Sequence, residues 1–161
     1  MSASNPFEMF EINEQAENEI GIYAEYPVPG QPNRAYKIRF VHSGNSNVHF
    51  RDALRARLKP LNFRINQDLV SDEEYKGIMK LVFADKIIKE WKSKDENGNW
   101  VDGIYKGLAE KTENFLEIIP FDKKNVVAAF EKSPRLFDDI QKQADSFATF
   151  KTSQVEDAIK N

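Results

Sequence analysis

Clustered carboxylates offer the first candidate chemistry in this chain: Asp72, Glu73 and Glu74 stand together, as do Asp138 and Asp139. Acid and base catalysis by such a pair needs two environments that hold the carboxyl pKa values apart. Both groups fall where helices are expected to begin, and the helix dipole favours negative charge in a first turn. Capping therefore explains them better than catalysis. His42 and His49 are the only histidines, and Asp52 is the one carboxylate at ligand spacing from His49, so no metal site is expected. Ser43, Ser46, Ser71, Ser133, Ser146 and Ser153 lack the G-x-S-x-G context of a nucleophile elbow, and the glycines match neither phosphate-loop pattern. Cysteine is absent, which removes thiolate zinc sites, thiol nucleophiles and disulfides together and fits a reducing compartment. The expectation is a protein without catalytic residues and without a cofactor.

What remains is surface chemistry. The 161 residues carry a net charge of -3, but the charge is laid out in blocks. Residues 1–33 hold Glu8, Glu11, Glu14, Glu17, Glu19 and Glu25 with no basic residue, whereas residues 34–64 hold Arg34, Lys37, Arg39, Arg51, Arg55, Arg57, Lys59 and Arg64 against Asp52 alone. Opposed blocks of this kind can pair within one molecule or between neighbours in an oligomer. Tyr36, Phe40, Phe50 and Phe63 interleave with the basic residues, the pattern of a phosphate-neutralising, base-stacking surface. They also alternate as core alternates with surface, and the acidic leader would screen the patch, so an acidic protein partner is preferred to nucleic acid. Twelve phenylalanines form the other signal: most lie on inner stripes and belong to a core, while Phe7, Phe10, Phe147 and Phe150 lie near the ends and suit an oligomer or client surface.

The elements that must position these residues can be read from periodicity. Ile20, Ile22 and Ala24 alternate in a strand that Pro27, Pro29, Gly30 and Pro32 interrupt, and Tyr36, Ile38 and Phe40 alternate in a second, giving a hairpin over 18–42 with a long proline-rich loop. Val48, Leu54, Leu58 and Leu61 then recur at helical spacing, with Arg51, Arg55 and Lys59 four residues apart on the other face. Ser71 and Glu74 form a capping box, and Tyr75, Ile78, Met79, Val82, Phe83, Ile87, Ile88 and Trp91 predict a central helix running to the tryptophan. A hairpin or loop is expected near 94–118, with Trp100 to Tyr105 facing Asn114 to Ile119. Asp122 caps a helix, and Ser133 with Pro134 opens a last one carrying Leu136, Phe137, Ile140, Ala144 and Phe147. The predicted class is α+β but mainly α: one domain over 1–150, an N-terminal hairpin followed by a mainly helical part over 45–150, a bundle of about four helices, and a polar tail over 151–161. No apolar run reaches the ~20 residues that span a bilayer, so no membrane partner is expected.

The order of several motifs resembles the tail assembly chaperones of long-tailed (siphovirus-type) bacteriophages. These are the apolar stretch Ala84-Asp85-Lys86-Ile87-Ile88-Lys89-Glu90-Trp91, the polar turn Lys94 to Asn99, Ile119-Pro120-Phe121-Asp122 opening a helix, Asn125 with Val126, Val127 and Phe130, and Ser133-Pro134-Arg135-Leu136-Phe137-Asp138-Asp139-Ile140. Gly44-Asn45 ahead of a basic helix is similar too, whereas Trp100 to Glu117 is an insertion relative to the family. The resemblance implies a protein that coats the helical tape measure protein, recruits tail tube subunits, self-associates in the host cytoplasm and is absent from the mature virion. The implied contacts are Leu136, Phe137, Ile140, Phe147 and Phe150, with Arg51, Arg55 and Lys59 as a charged row. A small nucleic-acid-binding accessory protein and a structural tail protein are the alternatives.

Overall fold

Ile22, Ala24 and Tyr26 alternate with Tyr23, Glu25 and Pro27, and this period of two sets the first strand. A computed structural model describes residues 20–44, 46–105 and 117–146; the acidic leader up to Glu19, Leu108 to Thr112, Phe147, Phe150 and the tail over 151–161 lie outside them. Strand β1 (Ile22–Val28) runs antiparallel to β2 (Gln31–Phe40), with Ile22 opposite Phe40 and Glu25 opposite Lys37. Their connection is Pro29 and Gly30 alone. Gly30 has φ of 78°, the left-handed value that the third residue of a type II turn requires. The expected long loop is thus a tight turn, and Pro27 and Pro32 are taken up into the strands.

The main correction to the sequence reading concerns Ile87 to Trp91. The helix α3 (Asp72–Val82) does not continue to the tryptophan: a single π turn, Phe83–Ile87, ends it, and strand β3 (Ile88–Lys94) comes directly after. A short apolar run is compatible with either period, but Lys89-Glu90-Trp91-Lys92-Ser93-Lys94 alternates cleanly, with Trp91 and Ser93 buried and Glu90, Lys92 and Lys94 on the other face. β2 supplies the unsatisfied edge, pairing Ile38 with Trp91 and, after a bulge, Phe40 with Ile88. Across the Asx turn in which Asp95 Oδ1 accepts from the Asn97 and Asn99 amides, β4 (Trp100–Asp102) pairs back onto β3. The result is a four-stranded antiparallel sheet in sequence order, and a mixed α+β fold replaces the mainly helical bundle that was expected.

A second sheet has two strands, β5 (Ile104–Tyr105) and β6 (Ile118–Ile119). The expected facing of Trp100 to Tyr105 with residues near Ile119 is therefore divided: the first half joins the large sheet and only the second pairs with β6. Gly103 makes the switch, with φ of 95° and a position where any Cβ would overlap Ile118. Trp91 Nε1 donates to the Ile119 carbonyl at 3.2 Å and ties the two sheets together.

The helices are α1 (Val48–Leu58), the short α2 (Asn62–Asn66), α3, α4 (Lys123–Lys132) and α5 (Pro134–Asp145). Their starts obey local chemistry: Asn47, Ser71 and Asp122 side chains accept from the amides of Phe50, Glu74 and Asn125. α1 and α4 pack on α3, and α5 packs on α4. Ile22, Ala24, Ile38 and Phe40 from the sheet bury against Val82, Phe83, Phe130, Phe137 and Ile140 from the helices. Phe83 is the hub, with its ring edge-on to Phe50 at 5.5 Å and to Phe137 at 5.4 Å. Five of the described phenylalanines, Phe40, Phe50, Phe83, Phe130 and Phe137, are core, while Phe63 and Phe121 are exposed.

Candidate functional site

α1 gives the core little. Phe50 is its one buried residue, with Ala53 and Leu54 packed against the margin, so most of the helix and the chain from Lys59 to Leu69 stand clear of the fold. A 3-10 turn, Lys59–Leu61, forms around Pro60 and leads into α2. Phe63 is 71% exposed, Leu69 59% and Ile65 39%. An apolar series of this size left exposed is the usual mark of an interaction surface. Arg51, Leu54, Arg55, Leu58, Lys59 and Asn62 line a groove of about 560 Å³ on the same arm.

The arm is tied to α3 at one point. The Arg64 guanidinium donates to both carboxylate oxygens of Glu74, each at 2.8 Å, and so fastens α2 to the first turn of α3. This two-point geometry is the directional form of an ion pair. Only the serine half of the capping box forms here, because Glu74 is turned outward to Arg64. Between Val48 and Leu69 the arm carries Arg51, Arg55, Arg57, Lys59 and Arg64 against Asp52 and Asp68. Its character is apolar with a basic rim.

The structure brings Arg51, Arg55 and Lys59 together in this groove. Phe137 and Ile140 are instead fully buried and Leu136 is half-buried against the core, so their side chains are occupied by the protein's own packing. Phe147 and Phe150 lie outside the described residues. Leu54 and Leu58 read as core stripe in the sequence; Leu54 does pack against the margin of the core, and both line the groove. Phe63 was legible as an aromatic among basic residues; Ile65 and Leu69 carried one overlooked signal, apolar residues in polar surroundings beyond Pro60 with no helical phase.

The long basic stretch does not form one patch. Lys37 and Arg39 project from the sheet face opposite the helices, away from the arm. Arg39 pairs with Glu90 at 3.3 Å, and Glu90 also accepts from the Tyr23 hydroxyl at 2.7 Å. Burial and that bond push the Tyr23 hydroxyl up to about 12. Lys37 is 2% exposed; its Nζ makes no hydrogen bond and sits 4.3 Å from the ring centres of both Tyr23 and Trp100. Burial, and then the Lys92 charge, pull its pKa below the usual lysine range.

The clustered carboxylates have structural partners. Asp72, Glu73 and Glu74 do open α3, as the capping reading requires. Asp138 and Asp139 lie beyond the first turn of α5, contrary to that reading: Asp138 pairs with Lys76 at 3.2 Å, and Asp139 accepts from the Tyr26 hydroxyl at 2.6 Å and from Gln143 at 2.7 Å. His42 is buried, and its Nδ1 accepts from the Gly44 amide at 2.9 Å. Among the described residues no group of three or more His, Asp or Glu side chains is arranged to hold a metal ion, and no helix is long and apolar enough to cross a membrane.

Comparison with known proteins adds one finding. No curated protein and no solved structure matches the chain. A family model does, over residues 44–161, which takes in the basic arm, α3, strands β3 to β6 and both C-terminal helices. That match spans well over half of the sequence, and on it the chain belongs to the YdaY prophage protein family.

Proposed function

We propose that this prophage-family protein is a non-catalytic binding module whose α1–α2 arm covers an acidic, amphipathic helix of another phage protein. One observation carries the reading: Phe63, Ile65 and Leu69 stand exposed beside a basic rim on an arm that the Arg64–Glu74 pair ties to α3. An apolar stripe on a client helix would fill the groove, while its acidic flanks would meet Arg51, Arg55 and Lys59. A preformed groove avoids the ordering entropy that a loose loop would lose on binding.

The phage process that supplies such a client is tail assembly, with the tape measure protein as the covered helix and tail tube subunits recruited to the complex. The module would act in the host cytoplasm, self-associate along its client, and leave before the virion is complete. The segment ending at Trp91 is a strand, and the surface we assign to the client lies instead on α1 and α2. Co-expression with the tape measure protein should yield a complex that co-purifies. Phe63→Ser with Leu69→Ser should abolish it while far-UV circular dichroism stays unchanged. Failure of the unaltered protein to co-purify would sink the assignment.

Arg51, Arg55 and Lys59 beside exposed Phe63 also suit a nucleic-acid accessory protein. A gel shift with single-stranded DNA tests that second reading, because phosphate contacts lose affinity steeply as salt rises.

A further inference from the structure

Two backbone irregularities follow one another where α3 gives way to β3, and both place cations. The π turn Phe83–Ile87 carries Asp85 and Lys86. Just beyond it the register of β3 slips: Arg39 pairs with Glu90 and Phe40 with Ile88, so Lys89 is the bulged residue with no partner across the strand. Single π turns and β-bulges both re-aim side chains, and both recur beside functional sites.

Two helices bring further cations to the same place, since α1 and α4 both pack on the π turn. Arg57 stands seven residues after Phe50, on the inward side of α1 and about half a turn around the helix from Arg55 and the groove. Lys123 and Lys124 open α4, whose first turn holds no acidic residue, although the helix dipole opposes positive charge there.

Asp85 is the centre of the cluster. Lys123 Nζ donates to its Oδ1, and Lys86 Nζ stands 3.9 Å from its Oδ2. The Lys123 bond, with the charges of Lys86 and Arg57 behind it, holds the Asp85 carboxyl below the usual range. Lys89 is pressed the other way: burial, and then the charges of Lys86 and Arg39, hold its amine below the usual lysine range. Four cations thus crowd around one carboxylate, and among the described residues no other carboxylate pairs with them. Asp122 is taken up in capping α4, and Glu90 is held by Arg39, Lys92 and Tyr23. The Lys86 and Lys123 side chains are 40% and 70% exposed, so a dissolved ligand can reach them. Like charges gathered from four elements repel one another, and an anion of several oxygens relieves that repulsion further than one carboxylate does.

We infer that Arg57, Lys86, Lys89 and Lys123 form a phosphate-binding surface that holds the backbone of a nucleic acid. Three of the four cations are lysines, point charges suited to phosphate, whereas recognition of carboxylates leans on the arginine fork. Such contacts register charge and not bases, so binding is independent of sequence. The surface lies apart from the α1–α2 groove and does not depend on the client reading.

Fluorescence anisotropy of a labelled DNA duplex with the full chain tests this. In dilute salt of about 20 mM the protein should bind with an affinity on the order of micromolar, and log K should fall against log salt with a slope of about -3 to -4, the value for four phosphates. Lys86→Gln with Lys123→Gln should flatten that slope by about 2. Asp85→Asn removes the carboxylate that competes with phosphate and should tighten binding by about three-fold or more. A purely structural ion network predicts the reverse, a looser fold in thermal melts with no gain in affinity. Absence of binding in dilute salt, a slope untouched by the two glutamines, or unchanged affinity in Asp85→Asn would overturn the inference. A larger loss from Arg51→Gln with Arg55→Gln would also overturn it, by moving the phosphate contacts to the groove. Displacement of the duplex by polyglutamate at equal charge would assign the cluster to an acidic protein segment instead. Co-purification with the tape measure protein is a separate measurement, and neither result decides the other.

Discussion

Replacing Lys37 with methionine should stabilise the protein, although it deletes a cation held between two aromatic rings. Each ring at 4.3 Å returns about 1–2 kcal/mol when the pair is shielded from water. Removing an ammonium from water costs several kcal/mol even after the surroundings relax, and Nζ makes no hydrogen bond that would recover the difference. Methionine keeps the length of the side chain, buries no charge and makes sulfur–aromatic contacts of its own. The balance favours Lys37→Met by about 1–2 kcal/mol at pH 7, in line with other buried ions replaced by apolar groups. The pH dependence gives an independent check. Because the folded pKa is lowered, the unfolded chain binds the proton more readily, and wild-type stability rises with pH between the folded value and about 10.5. Lys37→Met lacks this rise, so its advantage should shrink as pH climbs through that window. Tyr23, Tyr26 and Tyr36 titrate in both proteins and cancel in the difference. Urea unfolding followed by circular dichroism at pH 7 and pH 9.5 measures both quantities. A variant more than about 1 kcal/mol less stable than wild type at pH 7, or an advantage independent of pH, would refute the reasoning.

Tyr26→Phe removes the hydroxyl that joins β1 to Asp139 on α5, and should cost about 1.5–3 kcal/mol in chemical denaturation, the range for a hydrogen bond to a charged group. His42 has its folded pKa lowered by burial, so the unfolded chain takes the proton first; stability should fall as pH drops through 6.5 and level off below the folded value, and His42→Gln should flatten that limb in thermal melts. Phe83→Ala should destabilise by about 3–5 kcal/mol, since the ring is fully buried and contacts both Phe50 and Phe137, and equilibrium unfolding would expose a smaller effect as collapse of the site.

Much of the fold was legible because short-range chemistry decides it. Ser71, Asp122 and Pro134 mark helix starts through hydrogen bonds or fixed torsions that need nothing from the rest of the chain. Ile88 to Lys94 was not legible, since Ile87, Ile88 and Trp91 also extend the helical stripe of α3, and the deciding term is the free edge of β2, about fifty residues earlier in the chain. The same logic separates the charged residues. Arg51, Arg55 and Lys59 form a row because their spacing matches a helical turn, whereas Lys37 and Arg39, a dozen or more residues upstream, are carried to the far side of the sheet by a period of two. Phe137 and Ile140 look like a client stripe only until the sheet that covers them is known.

Among the described residues, the sheet order leaves β1 and β4 as its two margins. β1 has Pro27, which offers no amide hydrogen, next to a register shift, and exposes Glu25. β4 is three residues long and ends on exposed Asp102. A proline, a kink, brevity and outward charge are the devices by which natural sheets resist pairing with one another. If copies line one client as proposed, they can therefore meet through helices and side chains without their sheets fusing, and the same blunted margins would keep such an array from growing by edge-to-edge sheet pairing.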